Sequence, residues 1–311
     1  MKATKIMKSA GSLTNWILGI TTVQLAVGIV IHTAWLVTGN GAWLRYYFDY
    51  LGAFLFLTFS FLEVFLAYAV YRQFSSDQPL GSAWLFITLA AGCHLLGTIL
   101  KSLLGVNSYL NPLHYLMGIW NPATAEVLRG WGAVVGGPVQ MALLAYGLFL
   151  SLRLYKESGL LGKLRASDWA LVGSGTIYTS LVLYQIVTAI IHRTSPLTLH
   201  SMLTWPNDLL LDVLLFEAIF LRRSAVDMGW GFVSKVWTAF AVAIFLTTVG
   251  NVCNWMIAYG YLPWLQSAFV WYLWYPAEAA FVLGPAFQVE ASKTAQARLE
   301  EWQEEHDFVC A

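Results

Sequence analysis

Three carboxylates stand inside otherwise apolar stretches of this chain: Glu63 in LGAFLFLTFSFLEVFLAYAVYR, Glu217 in PNDLLLDVLLFEAIFLRR and Glu278 in WYLWYPAEAAFVLGPAFQVE. Gln140 takes the same place in GWGAVVGGPVQMALLAYGLFL. Glu63, Gln140 and Glu217 lie about ten to thirteen residues from the same end of their segments, and Glu278 about ten from an expected helix start at 268, which at a rise of about 1.5 Å per residue puts all four near the middle of a bilayer. His94 reaches a similar level from the opposite end of its segment. An ionised group at that depth is expensive and ordinarily faces a bundle interior, where it marks an ion or proton pathway or a ligand. Glu63, Gln140, Glu217 and Glu278 therefore read as a polar belt for moving protons, set against the plainer alternative that each is hydrogen-bonded glue between helices.

A second group lies towards the outer surface. His32 and His192 fall at the outer ends of the first and fifth apolar segments, and His114 and His200 in outer loops, near Asp49, Glu126 and Asp208. Neutral imidazole is the usual ligand of haem iron and of transition metals, so His32 and His192 are candidate haem ligands, and His32, His192 and His94 candidate cofactor contacts. The competing reading is a histidine that hydrogen-bonds at the membrane interface, which suits the loop residues His114 and His200 better. Cys93, Cys253 and Cys310 show no CxxC or CxxCH spacing, which argues against a zinc ribbon and against covalently attached haem. No phosphate-binding glycine loop, dinucleotide fingerprint, HExxH or nucleophile elbow is present, so no motif decides whether the chain is an enzyme.

The elements that would position these groups follow from composition. With 58% hydrophobic and 11% charged residues in 311, and a mean hydropathy of +0.63, the chain is too apolar for a water-soluble domain and reads as a polytopic membrane protein. Its 17 basic and 17 acidic residues cancel, which gives no sign of a nucleic-acid partner. A helix needs about 20 mostly apolar residues to cross the hydrocarbon. On that rule eight transmembrane helices are expected, near 15–37, 50–71, 83–105, 130–153, 168–191, 207–222, 235–258 and 268–290, the sixth short and polar at its outer end, where Asp208 and Asp212 sit. Of the 17 basic residues, 13 fall on one side of these helices, and Arg45, Lys101, Arg129 and Arg193 on the other. The positive-inside bias then puts both termini in the cytoplasm, as an even helix count requires. The expected location is a bacterial cytoplasmic membrane, and residues 292–306 read as a solvated polar tail.

Internal matches suggest duplication. GIVIHTAWL at 28–36 resembles TAIIHRTSP at 188–196, and the same offset of 160 carries Cys93-His94 onto Cys253-Asn254. PVQMALLAYGLF at 138–149 resembles PAEAAFVLGPAF at 276–287, at an offset of 138. The expected architecture is all-α, with two parallel four-helix halves, 1–157 and 158–291, followed by a polar tail, 292–311. Gly136-Gly137-Pro138 marks a kink or a close helix contact in the fourth helix.

Two such halves with short loops broadly resemble the architecture of haem A synthases and of haem-free quinol-oxidising membrane subunits. The similarity covers helix count and duplication; haem A synthases carry their ligands on the even helices, where this chain has no histidine. The resemblance implies a redox subunit that holds haem b or a quinone, with the belt taking up protons from quinol and the chain acting as one subunit of a membrane complex. Two alternatives stand beside it: a proton- or cation-coupled transporter or channel, and a scaffold or pigment-carrying subunit, whose flat cofactor would suit the 15 Trp and 15 Tyr.

Overall fold

A computed structural model describes residues 2–45, 47, 52–74, 78–100, 122–192, 206–229, 231–258, 260–261 and 267–307. Among them there is no strand. The helices are α1 (Lys2–Thr38), the short α2 (Ala42–Arg45), α3 (Ala53–Tyr71), α4 (Pro79–Thr98), α5 (Pro122–Val134), α6 (Gln140–Glu157), α7 (Ala166–His192), α8 (Pro206–Asp227), α9 (Gly231–Ala258) and α10 (Trp271–Asp307). The segment Val135–Val139 joins α5 to α6 as a bulged turn, and Ser267–Val270 leads into α10 as a 3-10 turn.

Local sequence sets several of these ends. α4 starts at Pro79, whose missing N–H is one that a first helical turn leaves unused, after an extended Gln78. α6 and α9 stop at Gly159 and Gly260, both at positive φ, and each is closed by a paired reverse bond: Leu160 N–H to Tyr155 C=O and Gly159 N–H to Lys156 C=O in the first, Tyr261 N–H to Met256 C=O and Gly260 N–H to Ile257 C=O in the second. α10 continues from its apolar part through the polar tail to Asp307, so the expected solvated tail is an extension of that helix.

Six helices close into a ring. α3 packs on α4, α4 on α6, α6 on α8, α8 on α9, α9 on α10, and α10 back on α3. The main core draws on all six, with Trp84, Ile87, Leu148, Leu211, Leu214, Phe240 and Ile244 excluded from the surface. α1 lies against α10 and α7 against α8, each outside the ring.

Apolarity alone does not set a helix's position in the bundle. Six helical stretches are long and apolar enough to cross a membrane: Leu13–Thr38, Phe54–Tyr71, Pro79–Thr98, Gly130–Glu157, Ala166–His192 and Gly231–Asn254. The two outer helices are among them and present bare hydrocarbon, with Val30, Tyr184 and Ile191 all about two-thirds exposed (67, 70 and 68%). α8 and α10, which carry Glu217 and Glu278, are not among the six, yet both belong to the ring. Along α10 the residues Tyr275, Ala277, Ala279, Phe281, Val282 and Ala286 are all buried. A helix shielded by its neighbours does not itself need an apolar face towards lipid, so the more polar helices tolerate their acids.

The break between α5 and α6 has a local cause. Pro138 has no N–H to give, and Gly136 and Gly137 leave helical geometry at φ/ψ of −87/16° and −126/−105°. The missing side chains also let two backbones meet: a Cβ on Gly136 would sit 2.9 Å from the Cα of Gly97 on α4. This is the kink expected from Gly136-Gly137-Pro138, and it is also a close helix contact.

Candidate functional site

Three helices of the ring bring together one side chain each. Glu63 comes from α3, His94 from α4 and Glu278 from α10, where it follows Pro276 by two residues. His94 Nδ1 lies 3.1 Å from Glu63 Oε2, and His94 Nε2 lies 3.2 Å from Glu278 Oε1. The imidazole is thus a bridge between two carboxylates on different helices. All three residues are buried, with 5, 5 and 6% of their surface exposed.

That geometry sets a minimum proton count. A neutral imidazole has one N–H, while an ionised carboxylate only accepts. Two imidazole–carboxylate bonds therefore require two protons, either both on His94 or one on His94 and one on a glutamate. In both cases the three groups carry a net charge of −1, as +1 −1 −1 or as 0 + 0 −1. Enclosed in a low-dielectric bundle, such a cluster is held by its internal bonds, and removing one member exposes the others to an uncompensated charge.

The surroundings are aromatic on one side and border a helix break on the other. Phe56, two turns before Glu63 on α3, meets the His94 ring edge-to-face at 5.7 Å. Trp271 lies 6.0 Å from Phe56 and stacks on Tyr275 at 5.3 Å. Gly97, one turn beyond His94 on α4, is the residue packed on Gly136 at the α5–α6 break. The backbone that carries His94 is therefore in direct contact with the most irregular segment among the described residues.

The other belt residues are buried but lie outside this cluster. Gln140 and Glu217 are 3 and 7% exposed, and no described residue hydrogen-bonds Glu217 Oε2. His32, on α1, packs its ring against Trp35 at 5.3 Å and Tyr272 of α10 at 5.9 Å. His192 is exposed at the end of α7. α1 rests on α10 and α7 on α8, two ring helices separated by α9, so the fold seats the two proposed haem ligands on different parts of the ring. His114, His200 and Asp49 lie outside the described residues, as do the side chains of Glu126 and His306.

Two polar arrangements were not anticipated. Asp208 accepts hydrogen bonds from Tyr178 of α7 (2.9 Å) and Asn251 of α9 (3.2 Å), which ties three helices at one end of the bundle. At the other end Arg223 donates from Nε and Nη2 to the two oxygens of Asp168, both at 2.8 Å, and fastens the start of α7 to α8. Both of these residues are buried, and this forked pairing is the strong form of such a contact. A buried Arg–Asp pair 55 positions apart leaves no trace in sequence; the Gly97–Gly136 contact left one on one side only, in Gly136-Gly137-Pro138. No family model, curated protein or solved structure matches the chain.

Proposed function

We propose that this protein spans a bacterial cytoplasmic membrane with eight helices, both ends cytoplasmic, and moves a cation across it in exchange with protons at Glu63, His94 and Glu278. The carrying observation is the bridge itself: one imidazole between two carboxylates, drawn from three helices and enclosed by the ring. Groups so arranged accept or release protons with little rearrangement. A transport site also needs a part that moves, and the Gly97–Gly136 contact couples the His94 backbone to a broken helix, the kind of discontinuity that borders ion sites in transporters.

The ring order supports the two-half architecture. Advancing the sequence α3–α4–α6–α8–α9–α10 by three places exchanges α3 with α8, α4 with α9 and α6 with α10, which is the pairing that two parallel four-helix halves require. α8 and α10 then span the membrane from within the bundle, covered by helices more apolar than themselves.

The test is proton flux in proteoliposomes that hold the purified full-length chain, followed with a pH-sensitive dye under an imposed gradient. Glu63→Gln, His94→Gln and Glu278→Gln are each expected to abolish the flux. Undiminished flux in all three variants would reject the proposal.

A second reading, a quinone-linked redox subunit in a larger complex, is favoured by one observation. Phe56 meets His94, Trp271 and Tyr275 meet Phe56, and Tyr272 on the same helix α10 meets His32, so aromatic rings lie both at the buried cluster and at the outer histidine. In that reading the cluster takes the protons of quinol oxidation. Bound quinone extracted from the purified protein, with loss of quinol oxidation in His94→Gln, would favour it; a Soret band lost in His32→Ala or His192→Ala would favour haem b.

A further inference from the structure

We infer that the Glu63–His94–Glu278 cluster is a binding site for one divalent transition-metal ion, held by His94 Nε2 and Glu278, with Glu63 orienting the imidazole from its other side. This names the cation of the exchange proposed above and rests on that reading for its use, though not for binding itself.

The donor geometry is the first argument. One ligand atom from each of the three residues can be chosen so that all lie within 4.8 Å of one another. The 3.2 Å between His94 Nε2 and Glu278 Oε1 is a hydrogen-bond length, and it is also the separation of two ligands around one ion. At metal–ligand distances of about 2.1 Å it corresponds to an angle of about 100° at the metal, within the range of tetrahedral and octahedral sites. The ion would lie to one side of the line between the two atoms, and the proton shared along that line leaves.

The remaining bond is the second argument. With the ion on Nε2, the Nδ1–H still points at Glu63 Oε2, 3.1 Å away. A carboxylate that accepts from the distal nitrogen of a metal-bound imidazole fixes the tautomer and the ring plane, and it is the usual outer partner of a histidine ligand. Here that partner is already in place on a separate helix, so Glu63 is a positioning residue. Charge balances as well. With two protons the cluster stands at −1; binding the ion then releases the one on the Nε2 side and leaves neutral His94, two carboxylates and +2, a sum of zero.

The donor types choose the metal class. One imidazole nitrogen with carboxylate oxygens suits Mn, Fe, Co or Zn in the +2 state. Mg²⁺ and Ca²⁺ prefer all-oxygen shells, and Cu⁺ prefers sulfur.

The experiment uses the tag-free, full-length protein in detergent, stripped with chelator and loaded with Co²⁺ or Zn²⁺. The expected result is about one ion per chain, unaffected by excess Mg²⁺, with absorption at the Zn edge showing nitrogen and oxygen neighbours and the outer-shell signature of one imidazole. His94→Gln and Glu278→Gln should lose the ion, whereas Glu63→Gln should keep it with affinity reduced about 10- to 100-fold. Failure of the wild-type protein to retain Co²⁺ or Zn²⁺, a sulfur shell such as neighbouring Cys93 would give, or full occupancy in folded His94→Gln and Glu278→Gln overturns the inference. The edge spectrum needs no variant, so a misfolded substitution does not blunt the test. Metal bound as expected with proton flux intact in the variants overturns exchange but not the site; triad-dependent flux without metal binding does the reverse.

Discussion

The two sides of the six-helix ring both bury polar residues and use them differently. On one side, α3, α4 and α10 contribute Glu63, His94 and Glu278, and the histidine links both acids. On the side related to it by the three-place advance around the ring, α8, α9 and α6 contribute Glu217, Thr248 and Gln140, all buried. There Thr248 bonds back to Ile244 C=O of its own helix, and Glu217 Oε2 has no partner among the described residues. Burial of a carboxylate is common to both sides. Only where a two-ended side chain stands between acids does burial become a shared site, because an imidazole offers a nitrogen to each neighbour and a threonine can be satisfied locally.

Removing the imidazole would leave the acids of both sides equally unbridged. His94→Ala leaves two enclosed carboxylates with nothing between them and should cost about 3–5 kcal/mol in denaturant unfolding in detergent. The triple variant Glu63→Gln, His94→Leu, Glu278→Gln should recover most of that loss while remaining inactive. Stability unchanged in His94→Ala would mean that the two acids are not held by the imidazole.

An ion pair remote from the cluster gives the reference for that effect. Arg223→Leu leaves Asp168 buried and unpaired and should cost about 3 kcal/mol, while proton flux per folded molecule stays at the wild-type level. A parallel loss of flux would show that the two ends of the bundle are coupled. A smaller change is expected at the helix contact: Gly97→Ala forces α4 away from the break and should destabilise by about 1–3 kcal/mol, with flux falling more than stability alone explains. Equal flux at matched folded fraction would separate the break from the site.

The smallest effect belongs to the other side. Glu217→Gln removes a carboxylate whose Oε2 has no described partner, so stability measured by the same unfolding assay should be unchanged or slightly higher. A loss above about 1 kcal/mol would show that Glu217 is bonded as firmly as Glu63, and the two sides would then be equivalents.

Much of the frame was legible because its causes are local. Apolar runs of helix length depend on a few adjacent residues; the Pro79 start and the glycine stop at Gly159 are equally local, yet the expected ends at 83 and 153 fall four residues inside the observed Pro79 and Glu157. The level of Glu63, His94 and Glu278 was legible too, since depth in a helix is counted along the chain. α8 and α10 were harder, because their enclosure depends on neighbours supplied by distant sequence; judged by their own composition they fall below the other six. His32 and His192 show the limit most clearly. Their flanking segments match at an offset of 160, yet α1 lies on α10 while α7 lies chiefly on α8, not on α6, the counterpart of α10 in the three-place advance.

Residue order alone determined that this chain is helical and built for lipid, and how far along each helix its acids, amide and histidines lie, because hydrophobic length and rise per residue are additive properties of a segment. Which of those groups face one another was decided by tertiary packing. When every face of a helix is apolar, rotation about its axis has no preference of its own; the contacts of α4 with α3, and of α3 with α10, turned His94 towards both Glu63 and Glu278 and left Glu217 and Gln140 outside the bridge.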